Sequence, residues 1–398
     1  MSVARPQAPS RAPTLAFTLV LGTIMAIGPL TIDLYLPAFP QIVQDLMATP
    51  GQVQYTLAVY LFGLALGQAL YGPVADKYGR RAPLLAGLAL YVAGAALCAL
   101  APSIGVLIAG RLVQALGGAA GAVIVSAVVR DRYEGKAAAS LFSTLMLVTG
   151  VAPAIAPTLG TWLLTFLHWR ALFGVLAAYG ALCLLLSAQR LPETHAVAAR
   201  AGMRLRDTAV VYAGLVRQRR FMGYSLAGGF SFGALFAYIT GSPFLFLQEL
   251  HVRPGVYALL FGVNAAGLTL ASQVNRALLR RYEPEQMARV AGRVALLVGL
   301  LLLAAALLQL LSVPLVAALF FALLCCAGML FPNNSALALS SVSERVGSAS
   351  ALNGTLQSAL GALSGTLVGA LGGGSVAIMT VITVCALGVL ICHQVARR

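Results

Sequence analysis

Twelve long apolar runs follow one another along this chain, at approximately 15–37, 53–74, 82–101, 104–129, 138–165, 171–189, 221–247, 256–279, 290–311, 313–332, 348–371 and 376–392. A helix needs about 20 apolar residues to cross the hydrocarbon of a bilayer. Away from water the backbone of such a run must bond to itself, which leaves the helix as its available form. Composition agrees, because mean hydropathy is +0.90 and only 9% of residues are charged, against about 25% in soluble domains. The expected fold class is an all-α polytopic membrane protein with twelve transmembrane helices.

The first run follows Arg5 and Arg11. It is too long for the apolar core of a signal peptide and no small-x-small cleavage pattern follows it, so it reads as an uncleaved first span. The six cysteines fall within or beside apolar runs, and Cys325 and Cys326 are adjacent. Their spacing suggests neither a disulfide framework nor a metal site, and no metal or cofactor is expected.

A net charge of +15 could suggest a nucleic-acid partner, but the distribution of charge points elsewhere. With the N-terminus placed in the cytoplasm, all but three of the 26 basic residues fall on the cytoplasmic side; the exceptions are Arg111, Arg170 and Arg253. By the positive-inside rule this fixes both termini in the cytoplasm. No nucleic-acid partner is expected.

The segments between runs are short except Arg190–Arg220, which divides the runs six and six. The expected organisation is a cytoplasmic tail over 1–14, a six-helix bundle over 15–189, a cytoplasmic linker over 190–220, a second six-helix bundle over 221–392 and a tail over 393–398. The linker's arginines are expected to face anionic lipid headgroups. A faint internal repeat supports two halves: Val74, Arg80 and Arg81 of GPVADKYGRR recur 200 residues later as Val274, Arg280 and Arg281 of SQVNRALLRR. Internal duplication marks many secondary transporters.

Of the eleven acids only Asp33 lies inside a run, and of the bases only Arg111 lies deep in one, Arg276 and Arg293 standing three residues from a run's cytoplasmic end. An ionisable group within the bilayer costs at least about 2.5–3.5 kcal/mol, which makes Asp33 and Arg111 candidates for function. They need not touch, but they can share one polar cavity. An aqueous aspartate titrates near about 3.9, so exchanging protons near neutrality requires surroundings that disfavour its charge by roughly 4 kcal/mol. Asp33 is read as a proton carrier, or alternatively as a structural acid at a kink made by Pro29 and Pro37. Arg111 is read as its coupling partner, or as a structural arginine that binds backbone carbonyls.

Several polar and aromatic residues in runs are candidates for the substrate site: Tyr35, Tyr60, Gln68, Gln114, Phe232, Phe236, Tyr238, Asn264, Asn333, Asn334 and Gln357. Apolar walls with a few polar groups suit an amphiphilic organic ligand. Pro153 and Pro157, one turn apart, mark a kink that is either static or a hinge. Small residues at four-residue spacing, as in Gly63–Gly67, Gly117–Gly121 and Gly361–Gly365–Gly369, mark faces of close helix packing. Trp169 and Arg170 read as interfacial anchors. The four histidines are dispersed and no HExxH or paired carboxylates occur, so the chain is not expected to be an enzyme.

GPVADKYGRR (Gly72–Arg81) resembles the loop 2–3 signature of the major facilitator superfamily. DLYLPAFP (Asp33–Pro40), RLVQALGGAA (from Arg111), GVAPAIAPTLG (Gly150–Gly160), GSPFLF (Gly241–Phe246), FPNNSALAL (Phe331–Leu339) and GSASALNGTLQ (Gly347–Gln357) are similar to segments of its drug:proton antiporters of the bicyclomycin/chloramphenicol-resistance (Bcr/CflA) type. The resemblance spans nearly the whole chain. It implies the major facilitator fold, with Gly72, Asp76, Gly79, Arg80 and Arg81 in a charged latch and Pro153 and Pro157 in the antiporter motif. Met25 stands where some related antiporters carry a second acid.

The function this implies is proton-coupled efflux of small amphiphilic drugs across the bacterial inner membrane by alternating access. Its partners would be a small-molecule substrate, protons and membrane lipids, and the protein would act as a monomer. The alternative is proton-coupled transport of one metabolite, such as a sugar, amino acid or siderophore.

Overall fold

The computed structural model describes residues 14–133, 135–194, 212–342 and 346–397. Most of the expected tail 1–14, the part 195–211 of the linker and Arg398 lie outside them.

The described residues form twelve long helices: α1 (Leu15–Asp33), α2 (Pro50–Tyr78), α3 (Arg81–Ala99), α4 (Ile104–Arg132), α5 (Gly135–Leu163), α6 (Trp169–Arg190), α7 (Arg219–Pro243), α8 (Pro254–Leu278), α9 (Pro284–Leu307), α10 (Val313–Ser340), α11 (Val346–Ala370) and α12 (Ser375–Arg397). Eleven candidate spans are long and apolar enough to cross a membrane. α11 is of similar length, but Asn353, Thr355, Gln357 and Ser358 interrupt its apolar character.

Local chemistry sets several boundaries. At α2, Thr49 Oγ1 accepts from Gln52 N (3.2 Å) while Gln52 Oε1 accepts from Thr49 N (2.8 Å), closing a capping box. Pro50, Pro254 and Pro284 occupy first turns, where a missing N–H costs nothing. The run expected over 15–37 is not one helix. α1 stops at Asp33, and the chain passes through a 3-10 turn (Leu36–Ala38) into a short helix, Phe39–Asp45. Pro37 and Pro40 lack the N–H groups that would carry the first helix onward. At the other terminus, residues 393–397 continue α12 instead of forming a tail.

Helices α1–α6 pack on one another, as do α7–α12, and the two groups meet chiefly through α2 against α11 and α5 against α8. Small residues make the first seam: a Cβ on Gly51 would stand 2.6 Å from the carbonyl oxygen of Gly369, and one on Gly365 would stand 3.3 Å from the Ala58 side chain. At the end of the bundle that holds Asp45, Gln54 Nε2 donates to Gly373 O (3.3 Å) and the rings of Phe39 and Phe244 lie 5.6 Å apart. Near mid-helix, Ser358 donates to Gln68 Oε1 (3.3 Å). The recorded cross-contacts therefore run from the Asp45 end to the middle of the bundle.

Trp169 is not an interfacial anchor. It is fully buried, and its indole N–H donates to Asp45 Oδ2 (2.9 Å), which His168 (2.6 Å) and Arg170 (3.2 Å) also approach. The indole ties the short helix Phe39–Asp45 to the start of α6.

Candidate functional site

Asp33 is the last residue of α1 and is 2% exposed. Among the described residues its carboxyl group makes no hydrogen bond or ion pair, and Oδ1 is buried without a partner. It lines a cavity of about 240 Å³ between the two helix groups. α1 and α5 contribute Pro29, Ile32, Thr149, Gly150 and Pro153; α7, α8 and α10 contribute Phe232, Phe236, Tyr238, Phe261 and Phe331 among others. The wall is apolar and aromatic, with Phe232 and Phe236 at a centroid separation of 4.6 Å. Phe232, Phe236, Tyr238 and Pro153 thus stand where a ligand in this cavity would touch them. Phe261 and Phe331 were missed in the sequence; an aromatic residue within an apolar run carries no mark of which way it faces.

Arg111 is not among the residues lining this cavity. It is wholly buried in the first helix group, its guanidinium carbon 4.1 Å from the ring centroid of Tyr60 and 4.5 Å from that of Tyr35. Its Nη1 donates to Thr31 O (3.3 Å) and Gln114 Oε1 (2.8 Å). Three cation–π contacts, the third to Phe173 at 5.8 Å, and the negative end of α1 therefore surround the charge, with no carboxylate paired to it among the described residues. Nε and Nη2 have no partner among the described residues. Arg111 and Asp33 thus do not line one cavity, although the sequence allowed it: the arginine reaches the acid's helix through its backbone, two residues before Asp33.

The remaining polar candidates also lie off this cavity's wall; most bond a neighbouring helix, while Gln114 bonds Arg111 on its own helix. Tyr35 bonds Thr56 (3.0 Å), while Tyr60 and Gln114 contribute to the arginine cage. Asn264 donates to the Tyr238 hydroxyl (3.0 Å), behind the ring that lines the cavity. Asn333 and Asn275 exchange two amide bonds (2.7 and 3.3 Å), Asn334 meets His393 Nε2 (2.7 Å), and Gln357 donates to Ser335 (3.4 Å). Helix-to-helix bonding is the common fate of amides in a membrane interior. Pro157 lies within α5 but not on the cavity wall.

The residues expected to form the latch lie at the opposite end of the bundle from Asp45. Gly79 adopts φ +90°, a conformation that side chains resist, and turns the chain between α2 and α3. Arg80 then bonds Asp76 Oδ1 (2.6 Å) and Asp131 Oδ2 (2.9 Å). Burial works against its charge, but the hydrogen bonds to Asp131 and Asp76 outweigh that and hold the guanidinium above its usual range. Glu193 accepts from the backbone N–H of Arg80 (2.9 Å) and of Arg81 (3.2 Å), and the Arg81 side chain donates to Ala188 O (2.6 Å). Gly72 has open space where a Cβ would stand.

The comparisons agree with this architecture. Residues 19–391 match the sequence profile of the Major Facilitator Superfamily. The chain is 37% identical over 349 residues to an uncharacterized MFS-type transporter, YdgK, of Bacillus subtilis (strain 168), covering 87% of each. It is 33% identical to a bicyclomycin resistance protein homolog of Haemophilus influenzae, over 88% of this chain and 87% of that one. With the multidrug resistance protein MdtL of Escherichia coli (strain K12 / DH10B) it shares 30% identity over 63% and 62%. The solved structure of a mutant of the nucleoside transporter NupG superposes with a TM-score of 0.73 at 14% identity, over 96% of this chain and 99% of that one, a likeness of fold. The chain is thus a multi-pass membrane transporter, not an enzyme, and belongs to the Major Facilitator Superfamily, in its bicyclomycin/chloramphenicol-resistance (Bcr/CflA) type.

Proposed function

We propose that this transporter exports small amphiphilic drugs from the cytoplasm in exchange for protons, by alternating access across the bacterial inner membrane, with Asp33 as the proton carrier. The observation that carries this reading is the buried, unpartnered Asp33 carboxyl group in the wall of an aromatic cavity enclosed by both helix groups. An ionised carboxylate in such a place is costly unless it is paired. A proton, or a cationic or strongly hydrogen-bonding substrate, relieves that cost, so the two compete for one group. The names of the relatives from Haemophilus influenzae and Escherichia coli support drugs as the cargo.

In this reading the bundles 15–189 and 221–392 rock as units joined by the linker 190–220. The α2–α11 and α5–α8 seams are the gliding faces, with Pro153 and Pro157 as the hinge. Contacts at the Asp45 end hold that side shut, so this state opens toward the Arg80 end, where the excess of basic residues argues for the cytoplasm and both termini. Arg80, Asp76 and Asp131 pair within one bundle here, and the latch engages the other bundle when the cycle reverses. Arg111 holds the end of α1 so that Asp33 stays in the cavity wall. The protein works as a monomer.

The test is drug-induced proton movement in energised inverted vesicles. Addition of a transported drug is expected to release protons from the lumen, and Asp33→Asn is expected to abolish that release while the protein remains in the membrane. Unchanged drug-dependent proton flux in Asp33→Asn would sink the assignment.

A further inference from the structure

A second cavity, of about 510 Å³, opens at the Arg80 end of the second helix group, where α7 and α9 begin and α12 ends. Arg219, Arg220, Tyr224, Glu285 and Arg397 line it. Glu285 Oε1 is engaged by Arg397 Nε (2.8 Å) and by Arg289 Nη2 (3.3 Å), so the single carboxylate is shared by two guanidinium groups. Arg219 and Arg220 have no ionic partner among the described residues. Gln218, at the N-cap of α7, supplies no side-chain cap, leaving first-turn N–H groups beside these arginines. Tyr224 is an independent pointer to a ligand. The residue lines the cavity yet is only 2% exposed, its ring packs 6.0 Å from that of His393, and its hydroxyl makes no hydrogen bond among the described residues.

We propose that this cavity binds the phosphate of an anionic phospholipid from the leaflet on the Arg80 side. Guanidinium groups match phosphate oxygens with charge-assisted, forked hydrogen bonds, and a phenol hydroxyl can donate to a third oxygen. Depth selects a lipid over a soluble phosphate compound. The cavity sits where three membrane helices terminate, and Val290 on α9 with Ile391 and Val395 on α12 are exposed just further along the same helices. A headgroup in the cavity would lay its acyl chains on those side chains. Basic pockets between helices at this level suit anionic headgroups.

The test uses the delipidated full chain in detergent, with lipid retention read by native mass spectrometry and by thermal stabilisation. Palmitoyl-oleoyl phosphatidylglycerol is expected to be retained at least about tenfold more tightly than the matching phosphatidylcholine, a difference that one charged contact supplies. Arg219→Gln/Arg220→Gln is expected to remove that preference, and Tyr224→Phe, which keeps the ring packing, to weaken retention several-fold with the lipid-free melting temperature unchanged. Equal retention of the two lipids, or an unchanged preference in both variants, overturns the proposal. Displacement of phosphatidylglycerol by millimolar inorganic phosphate also overturns it, by assigning the cavity to a soluble phosphate compound.

Discussion

Arg111 donates to the main-chain carbonyl of Thr31 at 3.3 Å, so a buried cation fastens the last turn of the helix that ends at Asp33. The final carbonyls of a helix lack internal partners and carry partial negative charge. An arginine there satisfies both needs without neutralising the carboxyl group two residues on.

Lysine in its place is expected to preserve the charge but lose function. An ammonium cannot stack flat between Tyr35 and Tyr60 while donating to Thr31 O and Gln114 Oε1. Arg111→Lys is therefore expected to lower transport roughly tenfold, equivalent to about 1.4 kcal/mol, with membrane levels maintained. Transport assays in vesicles normalised to protein content check this, and wild-type rates would show that the cage is dispensable.

The cavity wall yields a prediction about the cargo. Phe236 packs against Phe232 and faces the same space as Asp33. Phe236→Ala is expected to raise the drug concentration for half-maximal transport several-fold, with the maximal rate less affected, because it removes apolar contact and leaves the carboxyl group in place. Drug-dependent proton release measured over a concentration series separates the two parameters.

Closure at the Asp45 end depends on the Gly51–Gly369 approach. Gly51→Ala places a methyl group 2.6 Å from a backbone oxygen that cannot swing aside. The seam is expected to part, favouring the state open on that side. Spin labels at Met47 and Leu371, both exposed, are expected to show an added longer-distance population. An unchanged distance distribution would refute the role of this contact.

Asn275 and Asn333 satisfy each other between α8 and α10. Asn333→Ala strands a buried amide, at a cost of about 1–3 kcal/mol. The melting temperature in detergent is expected to fall, and Asn275→Leu/Asn333→Leu to recover part of the loss. A double variant less stable than the single one contradicts this account.

The apolar runs made the membrane helices legible because the bilayer admits few alternatives to a helix of that length. Asp33 and the latch were legible for a related reason: charge is so rare in this chain that each instance stands out. Orientation around a helix axis was harder to read. Tyr60 and Gln114 looked like cavity residues, yet they face Arg111, because the register that aims a side chain is settled by neighbouring helices. His393 was expected in a polar tail and instead lies buried against Asn334, since α12 stays helical to Arg397. Trp169 was read as an anchor because tryptophan favours interfaces, but its ring is buried among neighbouring helices and only its indole N–H reaches out, to the exposed carboxylate of Asp45.

A cavity wall with one carboxyl group, beside an arginine that stays in its cage, gives the proposed exchange an electrical character. A neutral drug traded for one proton moves one net charge, and a potential of about 100 mV then contributes about 2.3 kcal/mol. A singly charged drug traded for one proton moves no net charge, and only the pH difference drives its export. Clamping the potential to zero is thus expected to slow the export of neutral drugs selectively, sorting the cargo by charge.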